Sequence, residues 1–527
     1  MRSATPIRFG CLLCLLTAGW ASADAEHAAM TAATRSITSG ELQTHVNNLA
    51  NDSFEGRQAG TRGGRAAGVY LRAFLEKHGL KPAGDAGGYF QRFHGNCRNI
   101  IGIRRGSDPA LARETIVIGA HYDHVGYGSQ ENSAGPIGYI HNGADDNASG
   151  TAALLEIMEA FAKLGPPRRS VLFALWASEE NGLHGSKHWV SHPTVPLSGV
   201  KLMINMDMVG RLRDERVEVY GTRTAAGLRE LVSRGNLATG LTLDFSWEIK
   251  ENSDHYSFLR KRIPALMMHT GLHDDYHRPS DDAHRINAAG MERVSRLTFR
   301  AAYEAADRPA LSGFRSRSLH ESPASQARLR LRRLPALPRR LGVNWKPGDA
   351  ERDGLQLIAV APNSAAARAG LVPGNVIVGC EGEPIRSGLR FQELIMAAPA
   401  EVVLSVRENA AAEESQEAPV QLDGGPIRVG LTWREDDAEP NAAVIQRVVP
   451  RSPAARAGVR VGDRVLSVSG QSFADRKLFR DLLIQTPGPL ELELERQGRI
   501  QTLQVKLVAV VPQVPDSAPE APSSDEE

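Results

Sequence analysis

The sequence predicts an α/β fold: a mixed, mainly parallel sheet of an eight-stranded type, flanked by helices and followed by two small β-rich domains. Three observations predict it. Between residues 115 and 269, short and almost wholly apolar runs recur, and each leads into residue types that bind hard or borderline metals. A stretch with helical spacing separates the first two runs, so strand, helix and strand follow in the order of a parallel crossover. Beyond residue 340 the chain repeats itself at an interval of 88 residues, a period that suits a small domain better than a solenoid turn.

In chain order, Met1 to Ala23 carry Arg2 and Arg8, an apolar run from Cys11 to Trp20 and the small residues Ala21-Ser-Ala23. That pattern reads as a secretory signal peptide cut before Asp24. The run is too short to span a bilayer and no later segment reaches that length, so periplasmic or secreted protein without a transmembrane anchor is expected. Cys97 and Cys380 are then the only cysteines left, and no disulfide framework is expected. With 62 basic against 61 acidic side chains, the charge balance points away from a nucleic-acid partner. From Gly40 to Gly79 the pattern is helical, with Tyr70, Leu71, Phe74 and Leu75 on one apolar face.

The first apolar run, Thr115 to Ala120, leads into His121-Tyr-Asp123-His124. An imidazole two residues from a carboxylate can hold a metal while the carboxylate fixes the ring. Gly143-Ala-Asp-Asp-Asn-Ala-Ser-Gly150 follows, and then Leu154, Leu155, Met158, Phe161 and Ala162 at helical spacing. Ser170 to Trp176 leads to Glu179-Glu180, Val200 to Asn205 leads to Asp207, and Ala265 to His269 leads through a short loop to Tyr276-His277 and Asp281. Such runs read as strands buried on both faces, and ligands of open α/β sheets gather beyond the carboxyl ends of the strands. Singly, an acidic pair at a helix start, a capping Asp and a loop His are ordinary. Four strand ends in a row carrying metal-binding side chains are not.

These motifs resemble the two-zinc exopeptidases of the bacterial leucyl aminopeptidase type. The likeness runs from about Ile37 to Asp307, includes the opening Phe54-Glu-Gly-Arg57 with Gly60-Thr61, and keeps His-x-Asp, Gly-Ala-Asp-Asp-Asn, Glu-Glu, Asp-Met-x-Gly and Tyr-His in order. It implies that His121 and Asp207 bind one zinc, that Glu180 and His277 bind the other, and that Asp146 bridges the two. It further implies Glu179 as general base and Tyr276 as hydroxyl donor to the oxyanion. Asp123 and Asp281 would support the ligand histidines, and Asp254 would approach the site. The reaction implied is removal of N-terminal residues from peptides by a metal-bound hydroxide, with two Zn2+ per chain. Two other readings stay open: a single-zinc glutaminyl cyclase on the same scaffold, and a non-catalytic binding protein that uses its β-rich pair to recruit partners. The Gly-rich loop from Gly126 to Asn142 is expected to border the site.

From Arg315 to Arg340 eight arginines meet the single acid Glu321, among prolines 323, 335 and 338, which reads as a solvated linker, with an anionic lipid surface as the alternative. Leu341-Gly-Val-Asn-Trp345 then recurs as Val429-Gly-Leu-Thr-Trp433, and Asn363-Ser-Ala-Ala-Ala-Arg-Ala-Gly370 as Arg451-Ser-Pro-Ala-Ala-Arg-Ala-Gly458. Each copy resembles a PDZ domain of the bacterial protease-associated kind. That implies carboxylate loops at Leu341 to Val343 and Val429 to Leu431, with peptide C-termini or protein partners bound there. The first copy departs from the pattern with Ala365 for Pro and Asn375 for Asp. The domains expected are a signal peptide at 1–23, an N-terminal tail at 24–35, a zinc peptidase domain at 36–310 and a linker at 311–337. PDZ domains at 338–410 and 426–511 flank a second linker at 411–425, and a disordered acidic tail ends the sequence at 512–527.

Overall fold

The structure, a computed structural model, describes residues 25–331, 339–346 and 354–508. The expected signal peptide and acidic tail lie outside the described residues. The chain divides into two compact units, Met1–Arg330 with Asp437–Pro440 and Glu495–Ile500, and Leu331–Asp436 with Asn441–Leu494 and Gln501–Glu527.

The first unit is built on nine strands: β1 (Lys81–Pro82), β2 (Phe90–Arg92), β3 (Arg98–Arg104), β4 (Thr115–His121), β5 (Ser170–Trp176), β6 (Val200–Met206), β7 (Arg216–Tyr220), β8 (Thr242–Phe245) and β9 (Ala265–His269). Their order is β1-β3-β5-β4-β6-β9-β7-β8, with β2 paired to β3. The count exceeds the expected eight because Phe90–Arg92, too short to signal itself, folds back antiparallel on Ile100 to Arg98. β5, β4, β6 and β9 run parallel, so the four strand ends that carry candidate ligands share one edge.

All seven residues of β4 and of β5 are buried. Along β4, Ile116, Ile118 and Ala120 enter one apolar cluster while Val117 enters another with Trp176 and Trp189, the alternation of a strand covered on both faces. The first cluster is closed by α1 (Ser39–Leu49), α2 (Arg62–Lys77), α3 (Gly150–Ala162) and α7 (Ala288–Asp307). Across the sheet lie α4 (His184–Ser191) and α6 (His255–Leu259), while α5 (Leu228–Gly235) packs on α7. No described helix is long and apolar enough to cross a membrane. Cys97 and Cys380 are both buried free thiols.

Three expectations need correction. The helical pattern from Gly40 to Gly79 is interrupted between α1 and α2, where Glu55, Gly56 and Arg57 all take positive φ. A Cβ on Gly56 would lie 2.4 Å from the carbonyl oxygen of His141, so the chain must leave the helix to let this turn touch the loop before Asp145. The N-terminal tail is helical over 25–35, with Ala33 buried in the core. The linker at 311–337 contains α8 (Pro323–Leu331) and a short turn at Ser316–His320, anchored by Glu321, which pairs with Arg223 and Arg315.

The second and third sheets follow one plan. β10 (Val343–Trp345), β11 (Leu355–Val360), β12 (Val376–Cys380), β14 (Glu401–Arg407) and β15 (Gln416–Gln421) lie in that order, with β13 (Glu383–Pro384) beside β12. β15 lies in the middle of the stretch 411–425 expected as a linker, and its pairing with β14 across six residues makes it part of the first repeat. β16 (Leu431–Arg434), β17 (Ala443–Val448), β18 (Arg464–Val468), β20 (Leu490–Arg496) and β21 (Arg499–Val505) repeat the arrangement, with β19 (Gln471–Ser472) beside β18.

Candidate metal centre and carboxylate loops

His121 is the last residue of β4, and its backbone carbonyl accepts from Thr151 Oγ1 at 2.9 Å. Its Nδ1 lies 3.2 Å from the backbone oxygen of Asp123, which leaves Nε2 free to act as a ligand. Nε2 stands 3.4 Å from Asp146 Oδ1 and 3.5 Å from Asp207 Oδ1. The other oxygen of Asp207 accepts from Ser253 Oγ at 2.6 Å, and that hydroxyl accepts from Asn205 Nδ2. On the far side of Asp146, Oδ2 is 3.0 Å from His277 Nε2, which is 3.1 Å from Glu180 Oε2. His277 Nε2 hydrogen-bonds to neither carboxylate. It points between them, as groups sharing a cation do.

The Gly-Ala-Asp-Asp-Asn-Ala-Ser-Gly motif forms the irregular turn Ala144–Ser149 ahead of α3. Asp281 Oδ2 accepts from the backbone amides of Asp145 and Asp146 at 2.9 and 3.0 Å. The expectation that Asp281 supports a ligand histidine is therefore corrected: it holds the backbone that presents Asp146. Asn147 donates to the carbonyl of Met206 and accepts from the amides of Gly150 and Met208, tying the turn to the end of β6. Asp145 accepts from Gly210 N at 2.7 Å, and a Cβ on Gly210 would lie 2.9 Å from that same Oδ1 and 2.8 Å from Ile286 Cδ1, which accounts for the Gly of Asp-Met-x-Gly.

These donors fit bound metal. Donor atoms about 2.1 Å from one tetrahedral zinc stand about 3.4 Å from one another, and the separations of 3.0 to 3.5 Å in the site bracket that value. Electrostatics agree. Asp123, Asp146, Glu179 and Asp207 are buried, Glu180 is nearly so, and the permanent cation set against them is Arg57. Buried carboxylates at this density need cations. Burial pushes the imidazoles down, but at His121 the carboxylates of Glu179, Asp207 and Asp146 hold the pKa well above the ordinary value, and at His277 Asp146 and Glu180 raise it to about 10.

Glu179 is buried, its amide donates to Asp123 Oδ1 at 3.2 Å, and burial followed by the charges of Asp207, Glu180 and Asp254 raises its proton affinity well above that of a free carboxylate. Asp123 itself is wholly buried and pushed up to about 7 by burial, and its Oδ1 is 3.8 Å from His121 Nδ1. Its backbone oxygen, not its carboxylate, is the nearer partner of that ring. Tyr276 stacks on His277 with ring centres 3.9 Å apart, and burial plus the four nearby carboxylates raise its hydroxyl pKa, so it stays a proton donor. Asp254 is buried beside the site with neither oxygen hydrogen-bonded.

Three further residues belong to the centre. Arg57 is fully buried and donates to the backbone oxygens of Leu49, Tyr122, Asn142 and Gly143, clamping the loops that bear Asp123 and Asp146. Its Phe-Glu-Gly-Arg setting is visible in the sequence, but its partners are not. Ser253 fixes Asp207 across 46 residues, which no local pattern signals. His124 lies 2.6 Å from Glu180 Oε1 through Nδ1. Its place directly after His-x-Asp is the one sequence signal for it. The loop 126–142 lies against the site, Ala134 N donating to the carbonyl of His277.

In the repeats, Gly342 and Gly430 take φ of 83° and 84°, and a Cβ on either would lie 2.3 or 2.1 Å from the Cβ of Ser364 or Ser452. Only glycine fits. β10 and β16, which follow these loops, are edge strands whose outer sides pair with no described strand.

Fold and site together define a metal-binding α/β domain followed by two peptide-edge β domains. Residues 99–302 match Peptidase family M28, and residues 358–408 and 444–496 match the PDZ domain. The chain thus carries an M28 peptidase domain and two PDZ domains. It is 28% identical over 218 residues to Aminopeptidase YwaD of Bacillus subtilis (strain 168), covering 40% of this chain and 44% of that protein. It is 32% identical over 157 residues to the periplasmic serine endoprotease DegP of Salmonella typhimurium, covering 28% of this chain and 33% of that protein. The chain spans less than half the length of either relative. Among solved structures, the Legionella pneumophila LapA aminopeptidase aligns with a TM-score of 0.44 at 23% identity, over 53% of this chain and 75% of that one.

Proposed function

We propose that this protein is an exported aminopeptidase that uses a pair of zinc ions, one held by His121 and Asp207 and the other by Glu180 and His277, with Asp146 spanning both. The observation that carries this reading is Asp146. Its Oδ1 faces His121 Nε2 at 3.4 Å and its Oδ2 faces His277 Nε2 at 3.0 Å, so one carboxylate offers an oxygen to each half of the site. Zinc, when bound, supplies Lewis acidity that makes a water acidic near neutral pH and polarises a carbonyl.

The chain's own groups do the rest. Glu179, with its raised proton affinity, accepts the proton of the attacking water and returns it to the departing amine. Tyr276 donates a hydrogen bond to the carbonyl oxygen as charge gathers there. Asp123 orients Glu179 through its backbone amide. The PDZ domains add extended peptides at the outer edges of β10 and β16. Export rests on the pattern of Met1 to Ala23.

Metal analysis of the chain from Asp24 onward, paired with hydrolysis of free and N-acetylated aminoacyl substrates, tests this. About two zinc ions per chain, with cleavage confined to free amines, is the expected result. One zinc with cyclisation of N-terminal glutamine would make the protein a glutaminyl cyclase, and no turnover of either substrate class would leave a binding protein.

A further inference from the structure

The geometry points to His124 as a positioning residue that fixes which oxygen Glu180 turns toward its metal. The inference rests on the two-ion reading above. The His124 ring is built into the site: its side chain is fully buried, and Gly143, at φ +54°, leaves the space, since a Cβ there would lie 2.4 Å from His124 Cγ and Cδ2. Its ring centre is 5.5 Å from that of His277, edge to face.

His124, Asp146 and Glu180 could together be read as a ligand set. The distances decide otherwise. Two atoms on one tetrahedral zinc stand about 3.4 Å apart, whereas His124 Nδ1 is 2.6 Å from Glu180 Oε1 and 3.9 Å from Asp146 Oδ2. The first is a hydrogen-bond length, shorter than two donors on one ion keep, and the second is too long for a hydrogen bond. His277 Nε2, at 3.0 and 3.1 Å from Asp146 Oδ2 and Glu180 Oε2, has the more ligand-like spacing. His124 Nδ1–H therefore donates to Oε1, which leaves Oε2 for the ion shared with His277 and Asp146. Nε2 of His124 is buried and makes no hydrogen bond, so among the described residues Glu180 is the ring's sole hydrogen-bond partner.

The test compares His124→Leu, which removes the donor, with His124→Asn, which keeps an N–H near the Nδ1 position. Zinc affinities of the full chain are read by competition with a chromophoric chelator, and circular dichroism of the zinc-free forms checks folding. In His124→Leu one ion is expected to bind about 10–100-fold more weakly while the other is unchanged. His124→Asn is expected to stay within about threefold of the parent. Parental affinities for both ions in His124→Leu, or no recovery in His124→Asn, would overturn the assignment. Should His124→Leu fail to fold, His124→Gln, whose donor sits at the wrong end, takes its place. A parent that binds one ion sinks the two-ion reading, and His124 is then judged by whether that ion weakens with Leu and recovers with Asn.

Discussion

The groups that converge on Asp146 come from residues 121, 180, 207 and 277, four side chains carried to one edge of a sheet by four strands. In each PDZ domain the corresponding device is three consecutive residues, Leu341 to Val343 or Val429 to Leu431, and what it presents is backbone. The first site depends on the chemistry of its side chains and on a scaffold that neutralises them. The second depends on the shape of a loop. A change of one functional group should therefore silence the first without moving it, and the second should respond to whatever holds the loop and its neighbouring turns.

The sharpest way to break this contrast is Glu179→Gln. The amide keeps the size of the side chain but cannot take a proton, so turnover should fall by about 10²–10⁴. Zinc content should stay at the parental value, because Glu179 is not among the donors nearest Asp146. Unchanged turnover would remove Glu179 from its role, and loss of zinc would make it a ligand.

Arg57→Met comes next. Four backbone carbonyls lose their donor in a buried setting, and the expected loss of stability in the peptidase domain is about 3 kcal/mol, with the relief of burying one cation already offsetting part of it. Hydrogen exchange localises the effect: amides around residues 115–150 should lose protection while those of the repeats do not. Equal loss in both regions would mean that Arg57 supports the chain at large rather than the loops of the centre.

How much of this was legible in the sequence follows the same division. The strand runs, their carboxyl-end ligands and the repeat could be read because each is local: an apolar run, a motif, an interval of 88 residues. What stayed hidden was pairing across the chain. Ser253 reaches Asp207, Asp281 reaches the amides of Asp145 and Asp146, and Arg57 reaches four carbonyls, one at the end of α1 and three in two loops, all through topology that no window contains. His124 sat inside a motif already singled out and was missed because a second imidazole there has no meaning until Glu180 is placed beside it. The turn at Glu55 to Arg57 was overrun by a helical pattern because its positive φ values are imposed by contact with the loop at His141, not by composition.

The smallest effect separates the two PDZ copies. Asn375 stands where the second copy has Asp463, and both make the same turn contact: Asn375 Oδ1 accepts from Val372 N at 2.9 Å and Asp463 Oδ2 from Arg460 N at 2.8 Å. A departure from the pattern thus preserves the turn. Asn375 also does something a carboxylate cannot, since its Nδ2 donates to the backbone oxygen of Glu408 at 2.9 Å, at the end of β14. Asn375→Asp would restore the pattern of the second copy yet set a carboxylate against a carbonyl in a buried place. The first PDZ domain should lose about 1 kcal/mol, seen as faster exchange of the Val372 and Asn375 amides, while the second is unaffected. A gain in stability would mean that the Glu408 contact contributes nothing and that the first copy is a weakened version of the second; a loss means that it has traded one turn residue for a turn residue with a second bond.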